Sequence, residues 1–167
     1  MNRRGALWRV AAAAVVVLAA ALPALAQKAV VVVRHAEKVD ESDDPLLSAA
    51  GKARARALAR HLRTVGVQAI YVTQYKRTGL TAAPIAAAAG LKPNVVHSDA
   101  SPELVDRIRQ DNPNDIVLVV GHSDTVPEVL RLLGHPEPVT IGAAEYDNLF
   151  VAIPNKAGPP TVLRLRY

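Results

Sequence analysis

Two arginines and two histidines stand where a chain can aim them. Arg34 and His35 follow four consecutive valines, Val30 to Val33. Arg77 lies in Tyr75-Lys76-Arg77-Thr78, and His122 in Gly121-His122-Ser123. Arginine grips oxyanions through a planar fork, and a neutral imidazole can act as a nucleophile. A phosphoryl dianion wants forked donors, backbone N–H groups and positive helix ends. The set therefore points to chemistry on a phosphate. Each dipeptide alone is weak, so the elements around them must bring the four side chains together.

Ala29–Arg34 reads as a strand buried on both faces. Ser48 is a good N-cap for a helix through about Thr64. Ala50, Ala53, Ala57, Leu58 and Leu62 give that helix an apolar face, and Lys52, Arg56, Arg60 and Arg63 line another. The plain reading of the basic stripe is a solvated surface; the sharper one is contact with anionic surfaces such as phosphorylated lipid. Ala69–Thr73 is a second strand, and Thr78 or a neighbour starts a helix through Ala89, closed by Gly90. Asn94–His97 is a third strand, and Ser101-Pro102 has the N-cap and N1 signature of a helix through about Gln110. Asp115–Val120 is a fourth strand, and Asp124 or Thr125 caps a helix through Leu133. Leu149–Ile153 and Val162–Tyr167 are the last strands. In the final one Leu163, Leu165 and Tyr167 alternate with Arg164 and Arg166, as in a half-exposed edge strand.

Strands and helices alternate almost throughout. That predicts an α/β fold, a three-layer αβα sandwich around a mostly parallel sheet. Ligands in such sheets sit beyond the carboxyl ends of the strands, and the loops carrying Arg34, Arg77 and His122 leave from those ends. No internal repeat, linker or second domain is visible.

The N-terminal residues have a different character. Arg3, Arg4 and Arg9 precede an uninterrupted apolar run from Val10 to Leu22, and Pro23 then leads into Ala24-Leu25-Ala26. This is the form of a signal peptide, residues 1–26, cleaved after Ala26. The run is short for the ~20 residues of a membrane span. The remaining residues, 27–167, suit one domain with a real core and a periplasmic or secreted location. The formal charge of +5 falls to +2 without the three leading arginines. That balance, and the loss of Trp8 with the leader, argue against a nucleic-acid partner. The chain has no cysteine, which excludes thiolate nucleophiles, thiolate metal sites and disulfides.

The motifs resemble those of the histidine phosphatase superfamily, the group of the phosphoglycerate mutases. Arg34-His35-Ala36 matches the Arg-His pattern that ends the first strand. Leu47-Ser48-Ala49-Ala50-Gly51 matches the Leu-Ser/Thr-x-x-Gly helix start. Arg77-Thr78-Gly79-Leu80-Thr81-Ala82 and Val120-Gly121-His122-Ser123 match the third and fourth motifs, in the family's order. The resemblance implies a phosphoglycerate mutase-like fold and a phosphatase that hydrolyses phosphomonoesters or phosphoramidates. It implies that His35 is the nucleophile and forms a phosphohistidine. Arg34, Arg77 and His122 would bind and stabilise the transferring group, with no metal and no cofactor.

The general acid is not settled by the motifs. Larger relatives carry a glutamate after the third strand, often within an insertion that this chain lacks. Glu103 and Asp99 occupy that segment, and Asp124 lies two residues after the second histidine. Glu103 and Asp124 are equal candidates at this point, and Asp124 also reads as a helix cap. Glu37, beside the nucleophile, reads as a carboxylate that orients a basic side chain. His61 and His97 read as structural. A second function class is a non-catalytic phospho-ligand binding module on the same scaffold. A third takes His35-Ala36-Glu37 and His122-Ser123-Asp124 as metal ligands, which two adjacent arginines oppose. Small-molecule or envelope phosphates are the expected substrates.

Overall fold

Four β-branched residues in a row are stiff and bulky, and they favour extended chain between two apolar layers. The computed structural model, which describes residues 28–167, places them in β1, Ala29–Arg34. The remaining elements follow in order. They are α1 Ala49–Leu62, β2 Ala69–Val72, α2 Lys76–Ala89, β3 Asn94–Val95, α3 Ser101–Asp111, β4 Ile116–Gly121, α4 Thr125–Leu132, β5 Asn148–Ile153 and β6 Thr161–Arg166. The sheet order is β3-β2-β4-β1-β5-β6. The first four strands run parallel, and β5 and β6 complete the sheet antiparallel. The sheet is thus mostly parallel, as expected. The proposed signal segment lies outside the described residues.

The pleat of β1 divides the core. Val31 and Val33 face Leu58 and Leu62 of α1 and Ile85 of α2. Val30 and Val32 face Val105 and Ile108 of α3 and Val126 and Leu130 of α4. Helices therefore cover both sides of the sheet, and the strands between them are close to fully buried. Among the described residues no helix is long and apolar enough to cross a membrane.

Several local expectations need correction. The buried face of α1 is Gly51, Ala55, Leu58 and Leu62, whereas Ala50 and Ala53 are exposed. An alanine-rich helix offers little contrast between faces, and a backbone approach decides the matter. Ser48 N donates to Glu37 O at 2.9 Å, and Gly51 lies against that same carbonyl, where a Cβ would collide with backbone. Ser48 is the N-cap and accepts from Gly51 N at 3.0 Å. The Leu-Ser-x-x-Gly spacing thus docks α1 on the loop after the first strand. Gly51→Ala should cost roughly 1–3 kcal/mol by overpacking, read as a lower urea midpoint at unchanged m-value.

The helix starts differ as well. α2 begins at Lys76, capped by Asp44 from a distant loop, whose Oδ1 accepts from Lys76 N at 2.8 Å. α3 has Ala100, not Ser101, in the capping position. β3 is only two residues long, both exposed, because it forms the sheet edge and pairs with β2 alone. On β6, Leu163 and Leu165 are 45% and 49% exposed. They face the α1 side, which the helix does not cover at that edge; only Tyr167 packs against the core there.

Candidate active site

Strand pairing sets the centre of the site. β1 and β4 are parallel neighbours, with Arg34 opposite Gly121 and His35 N donating to Gly121 O at 2.8 Å. A histidine directly follows each strand, so the pairing brings His35 and His122 together. Their ring centroids are 5.3 Å apart and their planes 63° from parallel. His35 Nδ1 lies 2.8 Å from Ala36 O. A neutral ring satisfies that carbonyl by donating from Nδ1, which leaves Nε2 with a free lone pair.

The neutral state is favoured by the surroundings. Burial above all, with His122, Arg77 and Arg34 nearby, pushes His35 down to about 3, against a weaker opposing effect of the Ala36 carbonyl. His122 is pushed down to about 4, chiefly by burial and then by Arg77, while Asp124 acts in the opposite direction. Below the ordinary histidine range the unfolded chain then binds protons that the folded chain excludes. Stability is full above about pH 6.5 and declines as pH falls toward 4. Each histidine contributes a slope of up to about 1.4 kcal/mol per pH unit in that window. Urea midpoints between pH 6.5 and 5, above the carboxylate range, should therefore drop. A flat profile there would contradict the burial of two neutral imidazoles.

The two guanidiniums flank this pair. Arg34 Nη1 donates to the carbonyls of Gly142, Ala143 and Glu145, at 3.0, 2.9 and 3.3 Å. Its guanidinium carbon lies 4.2 Å from the ring centre of Tyr146. Arg77, in the first turn of α2, donates from Nη1 to Asp43 O at 3.2 Å and stands 4.2 Å from the ring centre of Tyr75. In both arginines Nε is buried and has no hydrogen-bond partner among the described residues. Buried donors are nearly always paired, so two orphans beside two histidines mark a place for an anion.

Threonines fix the frame. Thr81 Oγ1 donates to Arg77 O at 2.8 Å and accepts from Ala36 N at 2.9 Å, which ties the loop after His35 to α2. Thr78 Oγ1 lies 3.1 Å from Thr73 Oγ1, which in turn lies 2.9 Å from His122 Nε2. Thr125 Oγ1 accepts from His122 N at 2.8 Å and would be 2.7 Å from a Cβ at position 121, so a glycine is required there. Arg34, His35, Arg77 and His122 line one open cleft of about 710 Å³.

The family model for the histidine phosphatase superfamily (branch 1) matches residues 30–100. The fold is similar to a protein histidine phosphatase SixA complexed with tungstate: TM-score 0.66, 18% identity, 83% of this chain and 96% of that one. The chain is similar to the histidine phosphatase superfamily over residues 30–100, and to histidine phosphatase structures in its fold. Similar folds occur in a mycobacterial glucosyl-3-phosphoglycerate phosphatase, with TM-score 0.63, 14% identity and 83% and 98% of the two chains covered. They also occur in a phosphoserine phosphatase from Entamoeba histolytica in complex with 3-phosphoglyceric acid, with TM-score 0.64, 15% identity and 83% and 96% covered. No curated protein matches the chain by sequence.

In this cleft the two candidates for the acid separate. Glu103 lies on α3, 3.8 Å from Arg107, and is not part of the cleft wall. Asp124 lines the cleft and caps α4, with Oδ1 accepting from Thr125 N at 2.9 Å. The first N–H of each helix is already taken, that of α2 by Asp44 and that of α4 by Asp124, so the expected positive helix ends are not fully open. Glu37 does orient a basic side chain: its carboxylate is 2.7 Å from Arg54 Nη2, and Arg54 Nη1 donates to Tyr167 O. His61 contacts Ala57 O on the exposed side of α1, and His97 pairs with Asp99. Lys52, Arg56, Arg60 and Arg63 are all exposed.

Sequence reasoning missed Tyr75, Tyr146 and Glu145. Tyr75 packs edge-on to His122, with centroids 5.4 Å apart, as well as against Arg77. Glu145 accepts from Gly142 N at 2.7 Å and faces Arg164 and Arg166, and so shapes the loop whose carbonyls hold Arg34. The available signal was compositional: aromatic residues are scarce in this chain, and Tyr75 and Tyr146 both fall in loops at strand ends.

Proposed function

We propose that this chain is an exported phosphatase that hydrolyses phosphomonoesters or phosphoramidates through a phosphohistidine on His35. The observation that carries the reading is the pair of buried, unpartnered Nε donors on Arg34 and Arg77, beside a histidine whose Nε2 is free. Export rests on the leader-like residues 1–26, and the periplasm or the extracellular medium is the corresponding location.

The reaction runs in two displacements. His35 Nε2 attacks phosphorus, the N–P bond forms, and the bond to the leaving oxygen or nitrogen breaks with its electron pair. Arg34, Arg77 and His122 stabilise the charge on the transferring oxygens, which is most of what phosphoryl transfer asks of a protein. Because it lines the cleft and Glu103 does not, Asp124 is the carboxyl proposed to protonate a poor leaving group. Water then attacks the phosphohistidine, the N–P bond breaks, and inorganic phosphate leaves with neutral His35 restored.

Turnover of p-nitrophenyl phosphate in EDTA tests this reading. Steady hydrolysis supports it. Binding of phosphate without any turnover would instead favour a binding module, and loss of activity in EDTA would favour a metal site. Asp124→Asn should lower kcat on an alkyl phosphate roughly 10²-fold. Its effect on p-nitrophenyl phosphate should be far smaller, because that leaving group needs no proton. Equal losses on both substrates would remove Asp124 from the acid's role.

A further inference from the structure

Arg34 is oriented without being neutralised. Its Nη1 donates to three main-chain carbonyls, those of Gly142, Ala143 and Glu145, and the Tyr146 ring lies 4.2 Å from its guanidinium carbon. Among the described residues no carboxylate pairs with it. A buried charge is costly unless it is paired, so an arginine that is 7% exposed ordinarily meets an acid. Carbonyl dipoles instead fix the guanidinium and leave its full charge for an incoming anion. Yet the segment that supplies the carbonyls leads through two acids, Glu145 and Asp147. Glu145 already touches Arg34 through its own carbonyl, 3.3 Å from Nη1.

The Glu145 carboxylate is engaged elsewhere, by β6. Its Oε1 is 3.0 Å from Arg166 Nη2 and its Oε2 is 3.7 Å from Arg164 Nη2, while Oε2 also accepts from Gly142 N at 2.7 Å. Asp147 pairs with Arg166 Nη1. The pairing of β5 and β6 sets the two arginines in place. Arg166 lies opposite Asn148 and Arg164 opposite Phe150, so both side chains leave the same face of β6. Arg164 Nε donates to Asn148 Oδ1 at 2.9 Å, which ties it to the start of β5. The four charged side chains are 34–51% exposed, and as surface ion pairs they add little to stability. Their position, on the segment that holds Arg34, gives them a different consequence.

We infer that Arg166 and Arg164 are positioning residues for the phosphate site: they hold the Glu145 carboxylate at β6, so that Arg34 keeps its charge for the phosphate. The inference rests on the phosphatase reading for the phosphate's place beside Arg34, and adds a control on that place from the edge of the sheet. Without the two arginines the Glu145 carboxylate is free to turn to Arg34, whose planar fork suits a carboxylate as well as a phosphate. It then competes with substrate as an anion built into the chain. Such a competitor reduces the fraction of competent sites and raises the apparent dissociation constant by the inverse of that fraction. Saturating substrate displaces it, so the signature is a raised KM at unchanged kcat.

Arg164→Met combined with Arg166→Met should raise KM for p-nitrophenyl phosphate about tenfold, with kcat within about twofold of the unaltered chain. The inhibition constant of inorganic phosphate should rise by the same factor. Adding Glu145→Gln, which keeps an acceptor for Gly142 N and carries no charge, should return both values to those of the unaltered chain. Urea midpoints check that the variants are folded, and Arg166→Met alone, a milder change, should move KM in the same direction by less. An unchanged KM, a loss confined to kcat, or a defect that Glu145→Gln does not relieve would overturn the inference. Relief by Asp147→Asn in its place would overturn the assignment to Glu145. Calorimetric titration with inorganic phosphate makes the same comparison without turnover. Weaker binding by the double variant, restored by Glu145→Gln, supports the inference, and equal binding overturns it. If the unaltered chain binds phosphate but hydrolyses no phosphate compound, only the phosphatase reading falls; if it does not bind phosphate, the inference falls as well.

Discussion

His35→Ala is expected to lower phosphatase kcat at least ~10³-fold, with no phosphoenzyme trapped on acid-free quenching. β1 ends at Arg34, its pairing with β4 holds the backbone of His35, and the Ala36 carbonyl fixes the ring through Nδ1. Nε2 therefore has one orientation and one task. No other neutral nucleophile in the cleft is held in this way, because His122 Nε2 is engaged by Thr73. The unaltered chain should give a phosphoprotein that is labile in acid and stable in base. Retention of near-normal turnover by His35→Ala, with circular dichroism unchanged, would rule out the nucleophile assignment.

Arg77→Ala is the second large effect. It should lower kcat on p-nitrophenyl phosphate by roughly 10²–10³-fold, while global stability shifts by less than about 1 kcal/mol. Among the described residues Arg77 makes one side-chain hydrogen bond, to Asp43 O, so little of the fold depends on it. Arg34 is different. Its Nη1 serves three carbonyls of the segment before β5, so Arg34→Ala loses both the anion donor and that segment's anchor. The two variants should thus be equally poor catalysts and unequally stable. Lysine should rescue neither, because an ammonium cannot present a planar fork to a phosphate and stack on Tyr75 or Tyr146 at the same time. An Arg77→Ala protein with kcat intact and only KM raised would mean that Arg77 binds substrate without stabilising the transition state.

The effects together would place catalysis in a cage of two guanidiniums and two neutral imidazoles. The same cage explains why the chain tolerates two buried histidines at a cost in acid stability. Burial keeps His35 neutral well below the ordinary histidine range, and the neutral ring is the form that the proposed reaction requires.

Much of this was legible in the chain itself. The valine run, the glycines and prolines that end helices, and the spacing of the four motifs are local signals. They located β1, β2, β4 and the four helices within a few residues. Arg34, His35, Arg77 and His122 stood out because each lies at a strand end or helix start, where a side chain is aimed rather than merely accommodated. Even Gly51 was visible as part of a motif, although its reason, the closeness of the Glu37 carbonyl, was not.

Other features depend on what lies beside what, and periodicity carries no such information. The sheet order decided that β1 and β4 are neighbours, and so that His35 meets His122. The return of the chain before β5 decided that Arg34 meets Tyr146 and carbonyls more than 100 positions away. Glu103 and Asp124 were indistinguishable as carboxyls. Only the packing of α3 against α4 and the sheet showed that one turns to Arg107 and the other to the cleft. The sequence by itself determined the elements, their order and the four candidate side chains, because those follow from local sterics and hydrophobic pattern. The tertiary structure alone decided which carboxyl lines the cleft and which aromatic rings support the arginines, because these are set by contacts between segments far apart in the chain.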